Sequence, residues 1–339
     1  MKFKEGKFRL DFVLWLVAAV TAIGVVLFLL IHWGIIPEQK PGEKVPDKGG
    51  PDLVYYTCRD AGKVVNIQGA EWDTGSPVTY LTCTRDGLII AAVNSSEDSV
   101  SIIDVVENRI THTIPVGRTP KGIKFSPDER WLVTANEGSH DISIIDSARF
   151  ESQARIPVGQ KPHNLVFSPG GDRIYITLQK ENAIAVVDMN TRKRIKTLPV
   201  SDGPHNLDLS LDGRILFAAN RNSSDVAVID LQNEKVIKKI PVSAGHHGID
   251  VSSDGENVYV SGIGGKSVTV VDAESFKSVH EIYVGPGPHG LRTNVDAALL
   301  YVAVSGTDEV VIIDSHKMII QERIPTQSFP FWIAVPGNR

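Results

Sequence analysis

Residues 173–188 read RIYITLQKENAIAVVD, and the pattern returns 42 residues later as ILFAANRNSSDVAVID at 215–230 and again as NVYVSGIGGKSVTVVD at 257–272. Each stretch holds two short apolar runs separated by turn-forming residues, and the second run ends in aspartate. This pattern indicates two neighbouring β-strands joined by a tight turn. The sequence therefore predicts a fold built from a repeated pair of strands.

The spacing of this strand pair is constant along most of the chain. Six apolar strands close with an aspartate at steps of 42 residues, without insertion: Asp104, Asp146, Asp188, Asp230, Asp272 and Asp314. A period of about 40–45 residues with several short strands in each unit is typical of β-propeller blades. Each unit can be divided into four strands, and helical periodicity is not sustained after residue 50. The sequence predicts an all-β fold.

The two ends of the repeat region predict one more blade. Residues 53–77 contain LVYYTC and KVVNIQ, which resemble second and third strands, whereas residues 330–339 (PFWIAVPGNR) match a first strand. Pairing these pieces would seal the ring and remove the exposed edges of an open one. We expect a seven-bladed β-propeller over residues 53–339, with six 42-residue repeats and one composite closing blade whose outer strand is short or missing.

The repeated strand pairs, together with the Val-Gly-x-x-Pro-His-Gly/Asn linkage between units, resemble the YVTN-family propeller repeat over about residues 53–339. The resemblance implies the propeller fold and a family that includes cell-surface proteins and binding modules. Related propellers carry cofactors in nitrite-reducing and amine-oxidising enzymes. Because one propeller scaffold hosts unrelated activities, the resemblance is specific for the fold and not for the function.

The segment before the repeats predicts a membrane anchor. Residues 12–36 carry no charged side chain over 25 positions, which is long enough to cross the roughly 30 Å hydrocarbon core. Basic residues precede this segment, so the positive-inside rule places residues 1–11 in the cytoplasm and the propeller outside it, in the periplasm or the extracellular space. Residues 37–52, rich in Pro, Gly and charge, are expected to form an extended linker.

Composition narrows the classes of partner. The formal net charge is −5 and the charges are spread along the chain, so no nucleic-acid partner is expected. The two cysteines, Cys58 and Cys83, cannot form a complete structural zinc site, but one disulfide between them is possible outside the cytoplasm. Both lie near the predicted closure of the ring, where a bridge would tie the ends together.

One position in each unit is a candidate ligand site. It follows the proline between units, at the start of the innermost strand, and in steps of 42 it is occupied by Thr79, Lys121, His163, His205, His247, His289 and Phe331. Innermost strands surround the central channel, so these side chains should line its mouth. His246 adds a further imidazole at the rim.

Several roles for this ring are open. Neutral imidazoles could bind a transition metal or ligate haem iron. The ring could instead bind an anion, with Lys121 charged and the histidines gaining charge below about pH 6.5. It could also dock another protein. In the structural interpretation, Pro-His-Gly belongs to the repeat itself and each imidazole bonds the backbone of a neighbouring blade.

The expected function is that of a membrane-anchored binding or protein-interaction module, an accessory subunit or surface protein without its own catalysis and without a cofactor. The partner would be a protein or a membrane complex. The alternative is a cofactor-dependent redox or cofactor-maturation protein that holds haem or a metal through the histidines of the channel mouth.

The entry point of the chain also predicts an orientation. If the chain enters the closing blade at its second strand, the linker joins the face opposite the histidines, so the histidine-lined face should point away from the membrane. Entry at the third strand would reverse this polarity.

Overall fold

The computed structural model describes residues 53–75 and 77–338, which form 28 β-strands in seven four-stranded sheets. The predicted cytoplasmic residues 1–11, transmembrane segment 12–36 and linker 37–52 lie outside the described residues. Within the described part, no helix combines the length and apolarity that crossing a membrane requires.

The strands follow one another without any intervening helix in the described residues. The first half, in chain order, is β1 (Tyr55–Cys58), β2 (Lys63–Asn66), β3 (Glu71–Asp73), β4 (Val78–Cys83), β5 (Ile89–Asn94), β6 (Ser99–Asp104), β7 (Arg109–Pro115), β8 (Pro120–Phe125), β9 (Trp131–Asn136), β10 (Asp141–Asp146), β11 (Glu151–Pro157), β12 (Pro162–Phe167), β13 (Arg173–Leu178) and β14 (Ala183–Asp188). The second half is β15 (Lys193–Pro199), β16 (Pro204–Leu209), β17 (Ile215–Asn220), β18 (Asp225–Asp230), β19 (Lys235–Pro241), β20 (His246–Val251), β21 (Asn257–Gly262), β22 (Ser267–Asp272), β23 (Lys277–Tyr283), β24 (Pro288–Thr293), β25 (Leu299–Val304), β26 (Glu309–Asp314), β27 (Ile319–Pro325) and β28 (Pro330–Ala334).

Consecutive groups of four strands form the blades. Blades 1 to 6 are β4–β7, β8–β11, β12–β15, β16–β19, β20–β23 and β24–β27, and the closing blade has the order β28-β1-β2-β3. The inner strands contact each other in sequence, and β28 returns to β4, so the seven blades form a closed ring. The prediction of an all-β, seven-bladed propeller is confirmed.

Burial explains why the middle strands have continuous apolar runs. In blade 3, β14 is buried at five of its six positions, whereas the outer strand β15 is exposed at six of seven. A middle strand has neighbouring blades on both faces, so both sets of alternating side chains enter the core. The core consequently lies between blades, as in the cluster that contains Ile144 of blade 2 and Ile176 of blade 3.

The closing blade joins the two ends of the described chain. Tyr55 of β1 pairs with Ala334 of β28, and the Trp332 amide donates to Thr57 Oγ1 at 3.0 Å. The outer strand β3 is present and has only three residues. Because β1 is the second strand of its sheet, the propeller is entered at a second strand and not at a third.

The two faces of the ring are defined by the loops they carry. We call top the face with the inter-blade loops and the loops between second and third strands, and bottom the opposite face. The inner strands run from top to bottom, so their first residues form the channel mouth at the top.

The possible disulfide is not formed, since Cys58 and Cys83 are both free thiols. Side chains alternate between the faces of a strand, and Thr57 Oγ1 donates to the Thr79 carbonyl of blade 1 at 2.7 Å. Cys58, the next residue, therefore faces the other way and packs with Tyr301 and Val310 of blade 6, while Cys83 packs in the core on the blade 1 side. The two cysteines therefore lie near the closure of the ring, as predicted, but in different parts of the core.

Candidate functional site

The predicted ring of side chains occupies the second position of every inner strand, where the pairing with the next strand is irregular. In β12, for example, Pro162 pairs with Leu178 and the next paired residue is Leu165, with a register shift between them. Such a shift re-aims side chains at the edge of a sheet. The same irregularity in β16, β20 and β24 directs their histidines toward the channel.

His163, His205, His247 and His289 form one row of neighbouring rings, tilted or edge to face, which we call the stack. Ring centroids are 4.0 Å apart for His163 and His205, 4.4 Å for His205 and His247, and 4.7 Å for His247 and His289. Phe331 of the closing blade lies 4.9 Å from His289. Their exposed fractions range only from 3% to 8%, so these rings fill the channel below its mouth.

The sequence predicts that these side chains line the channel mouth, and the structure shows that they also contact each other across the channel. In the structural interpretation each imidazole would bond the backbone of a neighbouring blade, yet His163 Nε2 instead lies 2.8 Å from the Tyr80 hydroxyl across the channel. His289 Nδ1 is buried and has no hydrogen-bond partner among the described residues. Side-chain contacts across the channel therefore account for the position of His163.

His163 also contacts an acidic side chain of the neighbouring blade. Glu137, in the loop between β9 and β10, places Oε2 3.6 Å from His163 Nδ1, while Lys161 Nζ donates to Glu137 Oε1 at 3.0 Å. The His163 contact, reinforced by Lys161 and Lys121, lowers the pKa of Glu137 to about 2. A carboxylate beside Nδ1 favours a proton there, which leaves Nε2 to accept from Tyr80.

Basic side chains surround the mouth. Arg59 lies over the Phe329 ring at 3.7 Å from its centroid, and Arg221 comes from the loop between β17 and β18. Burial, aided by Arg59 and Arg221, lowers the pKa of His289 to about 4, and burial also lowers the pKa of His163. Protonation of these two histidines therefore requires a lower pH than the ordinary pKa of about 6.5, because burial disfavours the charged ring.

The remaining candidates are distributed around this stack. Lys121 is partly buried, and burial lowers the pKa of its ammonium group. Thr79 bonds Ser95, with 2.9 Å between the two hydroxyl oxygens. His246 begins β20 next to His247 in the chain.

A cavity of about 450 Å³ opens on the top face beside the stack. His205 forms part of its wall, and Lys161, Lys180 and Arg221 bring three cationic groups to its lining. Asp202 is the single acidic residue among the described residues that line it. Such a lining is electrostatically suited to an anionic group.

The histidines do not fit a multi-histidine metal centre. Neighbouring rings are tilted or edge to face, with interplanar angles of 47°, 58° and 81°, whereas a metal needs several nitrogen atoms aimed at one point about 2.0–2.1 Å away. Among residues 53–75 and 77–338, no group of three or more His, Cys, Asp and Glu side chains is arranged to hold an ion. His205 lines the top cavity, and one imidazole is what an axial ligand to haem iron requires, but its ring is 3% exposed and its Nδ1 lies 3.0 Å from the Asn206 amide nitrogen.

Sequence reasoning missed Arg59, Glu137 and Arg221. All three lie in top-face loops between second and third strands. Glu137 and Arg221 are two steps of 42 apart, and Arg59 holds the equivalent place in the closing blade, but the other blades have uncharged residues at this position, so no run of similar residues marks it. The signal that could have found them is their shared place after the second strand of a blade.

Comparisons with known proteins agree on the fold. A family described as YNCE-like beta-propeller matches residues 171–299. A structure of Kuenenia stuttgartiensis hydrazine synthase superposes with a TM-score of 0.71 at 22% identity, covering 77% of this chain and 90% of that one. A functionally unknown protein from Desulfotomaculum acetoxidans DSM 771 has a TM-score of 0.72 at 14% identity, covering 84% of this chain and 98% of that one.

A further similar structure is the dihydro-heme d1 dehydrogenase NirN in complex with DHE, with a TM-score of 0.66 at 16% identity, covering 90% of this chain and 78% of that one. No curated protein matches the chain in sequence. These identities support the fold and no particular activity. The protein is thus an all-β, seven-bladed propeller that is similar, over residues 171–299, to the YNCE-like β-propellers.

Proposed function

We propose that this protein is a non-catalytic binding module, anchored in the membrane and exposed outside the cytoplasm, that binds an acidic segment of a partner protein at its top face. The observation that carries the proposal is the cavity beside His205, lined by Lys161, Lys180 and Arg221. We also propose that the propeller belongs to the YVTN family, because of its 42-residue repeat and the Val-Gly-x-x-Pro-His-Gly/Asn linkage between units.

The charge of the cavity contrasts with that of the whole chain. The formal net charge is −5, yet cationic side chains predominate around the cavity and the neighbouring mouth. A concentration of one sign of charge in a concave site attracts ligands of the opposite sign and speeds their association. An acidic peptide segment should therefore bind this site more tightly than a neutral or basic one.

The membrane anchor is part of the same proposal. Residues 12–36 have the length and composition of a transmembrane helix, and basic residues precede them. The propeller is entered at β1, whose first residue lies at the bottom face because β1 is a second strand. We propose that the bottom face is turned to the membrane, which leaves the top face accessible to a partner.

The test uses the full chain in detergent and a fluorescently labelled hexaglutamate peptide, followed by fluorescence anisotropy. Substituting Lys161, Lys180 and Arg221 together by Met should weaken binding at least tenfold, because the three charges lining the cavity are removed. A matched triple variant replaces lysines of the outer strands, Lys193, Lys235 and Lys277, by Met and should bind like the wild type.

Added salt should weaken wild-type binding, since exposed charges are screened over about 8 Å at physiological ionic strength. Equal affinity in the two triple variants would show that the top cavity is not the binding site. Thermal unfolding of both variants, measured alongside, separates loss of binding from loss of fold.

A second candidate function is a cofactor-dependent redox or cofactor-maturation protein. It is favoured by His205 at the wall of the top cavity, because a single histidine is an axial ligand that haem proteins use. A haem bound there would supply one-electron chemistry, with His205 as the residue that holds it. The similar structure of NirN, a dihydro-heme d1 dehydrogenase, makes this test worthwhile.

The two candidate functions can be distinguished without a substrate, because they predict different cofactor contents of the purified protein. The full chain is purified from its native host, and its visible spectrum and metal content are recorded. A stoichiometric haem band that disappears in His205→Ala would support the second candidate and contradict the first. A colourless, metal-free preparation that co-purifies with a membrane complex would support the binding module.

A further inference from the structure

The bottom end of the channel opens into a cavity of about 390 Å³, which we call the bottom cavity. Its lining comes from the ends of the inner strands β4, β8, β12 and β16, from the turns that follow them, and from the last residues of the described chain. Among the described residues, none lines both this cavity and the top cavity. The bottom cavity is therefore a separate candidate site.

The walls of the bottom cavity are largely apolar. Phe125, Val166, Phe167 and Leu209 line it along three neighbouring inner strands. Leu209 is only 2% exposed, so this part of the wall belongs to the core as well as to the cavity. A molecule inside the cavity would therefore contact mainly aliphatic and aromatic groups.

The turns after the inner strands continue the apolar wall to the mouth of the cavity. Pro169 and Leu211 line the cavity, and each packs on a glycine of the next blade. An added Cβ at Gly213 would be 2.6 Å from Pro169, and one at Gly255 would be 2.8 Å from Leu211. This packing holds the two apolar side chains in place, while Leu211 stays 42% exposed at the mouth.

The charged side chains of the lining balance each other. Arg85 and Lys124 are cationic, whereas Glu129 and Asp208 are acidic. The Arg85 amide donates to Glu129 Oε1. Lys124 is partly buried and interacts within the protein, and burial lowers its pKa while the charge of Asp208 opposes that shift. The lining therefore presents no excess of either sign of charge to a ligand.

Other polar groups of the lining form hydrogen bonds inside the protein. Ser126 Oγ donates to Asp128 Oδ1 at 2.6 Å, and Ser168 makes a similar bond within its own turn. The Asn338 side-chain amide donates to the Thr293 carbonyl at 2.6 Å. Because these groups already have partners, a ligand is not required to supply them.

We infer that the bottom cavity binds an uncharged, largely apolar small molecule with an aromatic ring, held against Phe125, Phe167 and Leu209. Apolar walls with a few polar groups are the usual chemistry of a small-molecule site, for which volumes of about 300–1,000 Å³ are typical. Phenylalanine rings add favourable edge-to-face or offset contacts with an aromatic ligand. An ion of either sign would lose its hydration without meeting an unbalanced opposite charge.

This inference does not depend on the acidic partner proposed for the top face, because the two cavities have separate linings. Loss of hexaglutamate binding at the top would leave the bottom site unaffected. Failure of either proposal can therefore be recognised without reference to the other.

The test is a calorimetric titration of the full chain in detergent with three probes that share one ring system. They are the neutral 2-naphthalenemethanol, the anion 2-naphthoate and the cation 2-naphthylmethylammonium, each corrected for uptake by empty micelles. We expect saturable binding of the neutral probe at one site per chain and about tenfold weaker binding of both ions, because charged groups are costly to bury. Absence of saturable binding by the neutral probe, or equal or tighter binding of either ion, would overturn the inference.

Leu211 and Val295 provide matched variants. They occupy the same place in the turns of blades 4 and 6, two steps of 42 apart, and are 42% and 48% exposed, but of the two only Leu211 lines the cavity. Leu211→Glu should weaken binding of the neutral probe about fivefold, since it removes apolar surface from the mouth. Val295→Glu should bind like the wild type, and thermal unfolding of both variants checks the fold.

The sign of the introduced charge gives a further check. Leu211→Lys should weaken binding of the neutral probe to the same degree as Leu211→Glu, because the ligand carries no charge. Equal affinity in Leu211→Glu and Val295→Glu would show that the probe binds elsewhere. Opposite effects of Leu211→Lys and Leu211→Glu would show that charge governs the site, which also contradicts the inference.

Discussion

At the scale of single residues, the histidines of the channel are governed by burial. His289 is 8% exposed, packs against His247 and Phe331, and lies near the charges of Arg59 and Arg221. All these features disfavour the protonated ring, which is why its pKa is lowered to about 4. The imidazole is therefore a neutral packing group over the physiological range of pH.

This shift predicts a dependence of stability on pH. An unfolded chain protonates His289 near its ordinary pKa of about 6.5, whereas the folded protein resists protonation until about pH 4. Between these values the unfolded state binds more protons, so stability falls as the pH falls. From pH 7 to pH 5 we expect His289 to account for a loss of about 2 kcal/mol in the free energy of unfolding.

The measurement is urea unfolding at both pH values. His289→Phe, which copies the residue that the closing blade has at this position, should lose about 2 kcal/mol less than the wild type between pH 7 and pH 5. An identical pH dependence in the two proteins would contradict the pKa assigned to His289.

The direction in which single side chains point could not be predicted from the sequence. The sequence places Cys58 and Cys83 near the closure of the ring, where they lie in the structure, but alternation along β1 turns Cys58 toward blade 6. Counting in steps of 42 placed the histidines at the channel but not in contact with each other, because irregular pairing in the inner strands sets their direction. Periodicity in sequence specifies position, whereas side-chain direction depends on local register.

At the scale of elements, the inner strands approach each other closely at their third position. Gly290 of β24 lies so close to β28 that an added Cβ would be 2.7 Å from both Cα and the ring of Trp332. Trp332 is itself 4% exposed and packs 4.5 Å from the Tyr80 ring. The absence of a side chain at Gly290 is therefore what lets blade 6 and the closing blade meet.

Gly290→Ala should destabilise the protein by about 2–3 kcal/mol, because a backbone atom and a buried ring would have to move. Gly170→Ala serves as the control, since its added Cβ would meet only Asp172, at 3.5 Å, and should change stability by no more than about 0.5 kcal/mol. The check is thermal unfolding of both variants. Equal melting temperatures would mean that the contact between β24 and β28 adapts without cost.

At the scale of the whole molecule, closure depends on one short strand. Residues Phe331, Trp332 and Ile333 of β28 are all at most 7% exposed, and β28 pairs with β1 at the opposite end of the described chain. Removing residues 330–339 would take three large side chains out of the core, each worth about 1.5–3 kcal/mol, and would expose the edge of β1. We expect a marked loss of stability and aggregation of the shortened chain.

A synthetic peptide of residues 328–339 should restore the melting temperature of the shortened chain, because it can supply the missing inner strand. A peptide of the same composition in scrambled order is the control. If the shortened chain melts like the full one, β28 is not the element that holds the ring closed.

The fold as a whole was predictable because the repeat has no insertions, and the closing blade followed from what remained at each end. The charged side chains at the fifth position of four inner strands were also within reach, since Lys124, Asp208, Asp250 and Arg292 follow the same 42-residue step. The basic rim was harder to predict, because Arg59 and Arg221 share the position after a second strand with the uncharged residues of other blades, Ser95, Gln179, Ile263 and Ser305. The residue types at this position give no signal of a site, whereas the propeller follows from the repeat alone.

The hydrogen bond between the Trp332 amide and Thr57 joins residues 275 positions apart. During synthesis the strand that needs this partner emerges first, and the strand that provides it emerges last. At about 5–20 residues per second, the inner edge of β1 waits for roughly 15–60 s on the ribosome. For that interval the nascent protein carries an open strand edge, so chaperone capture before release from the ribosome would act on this edge first.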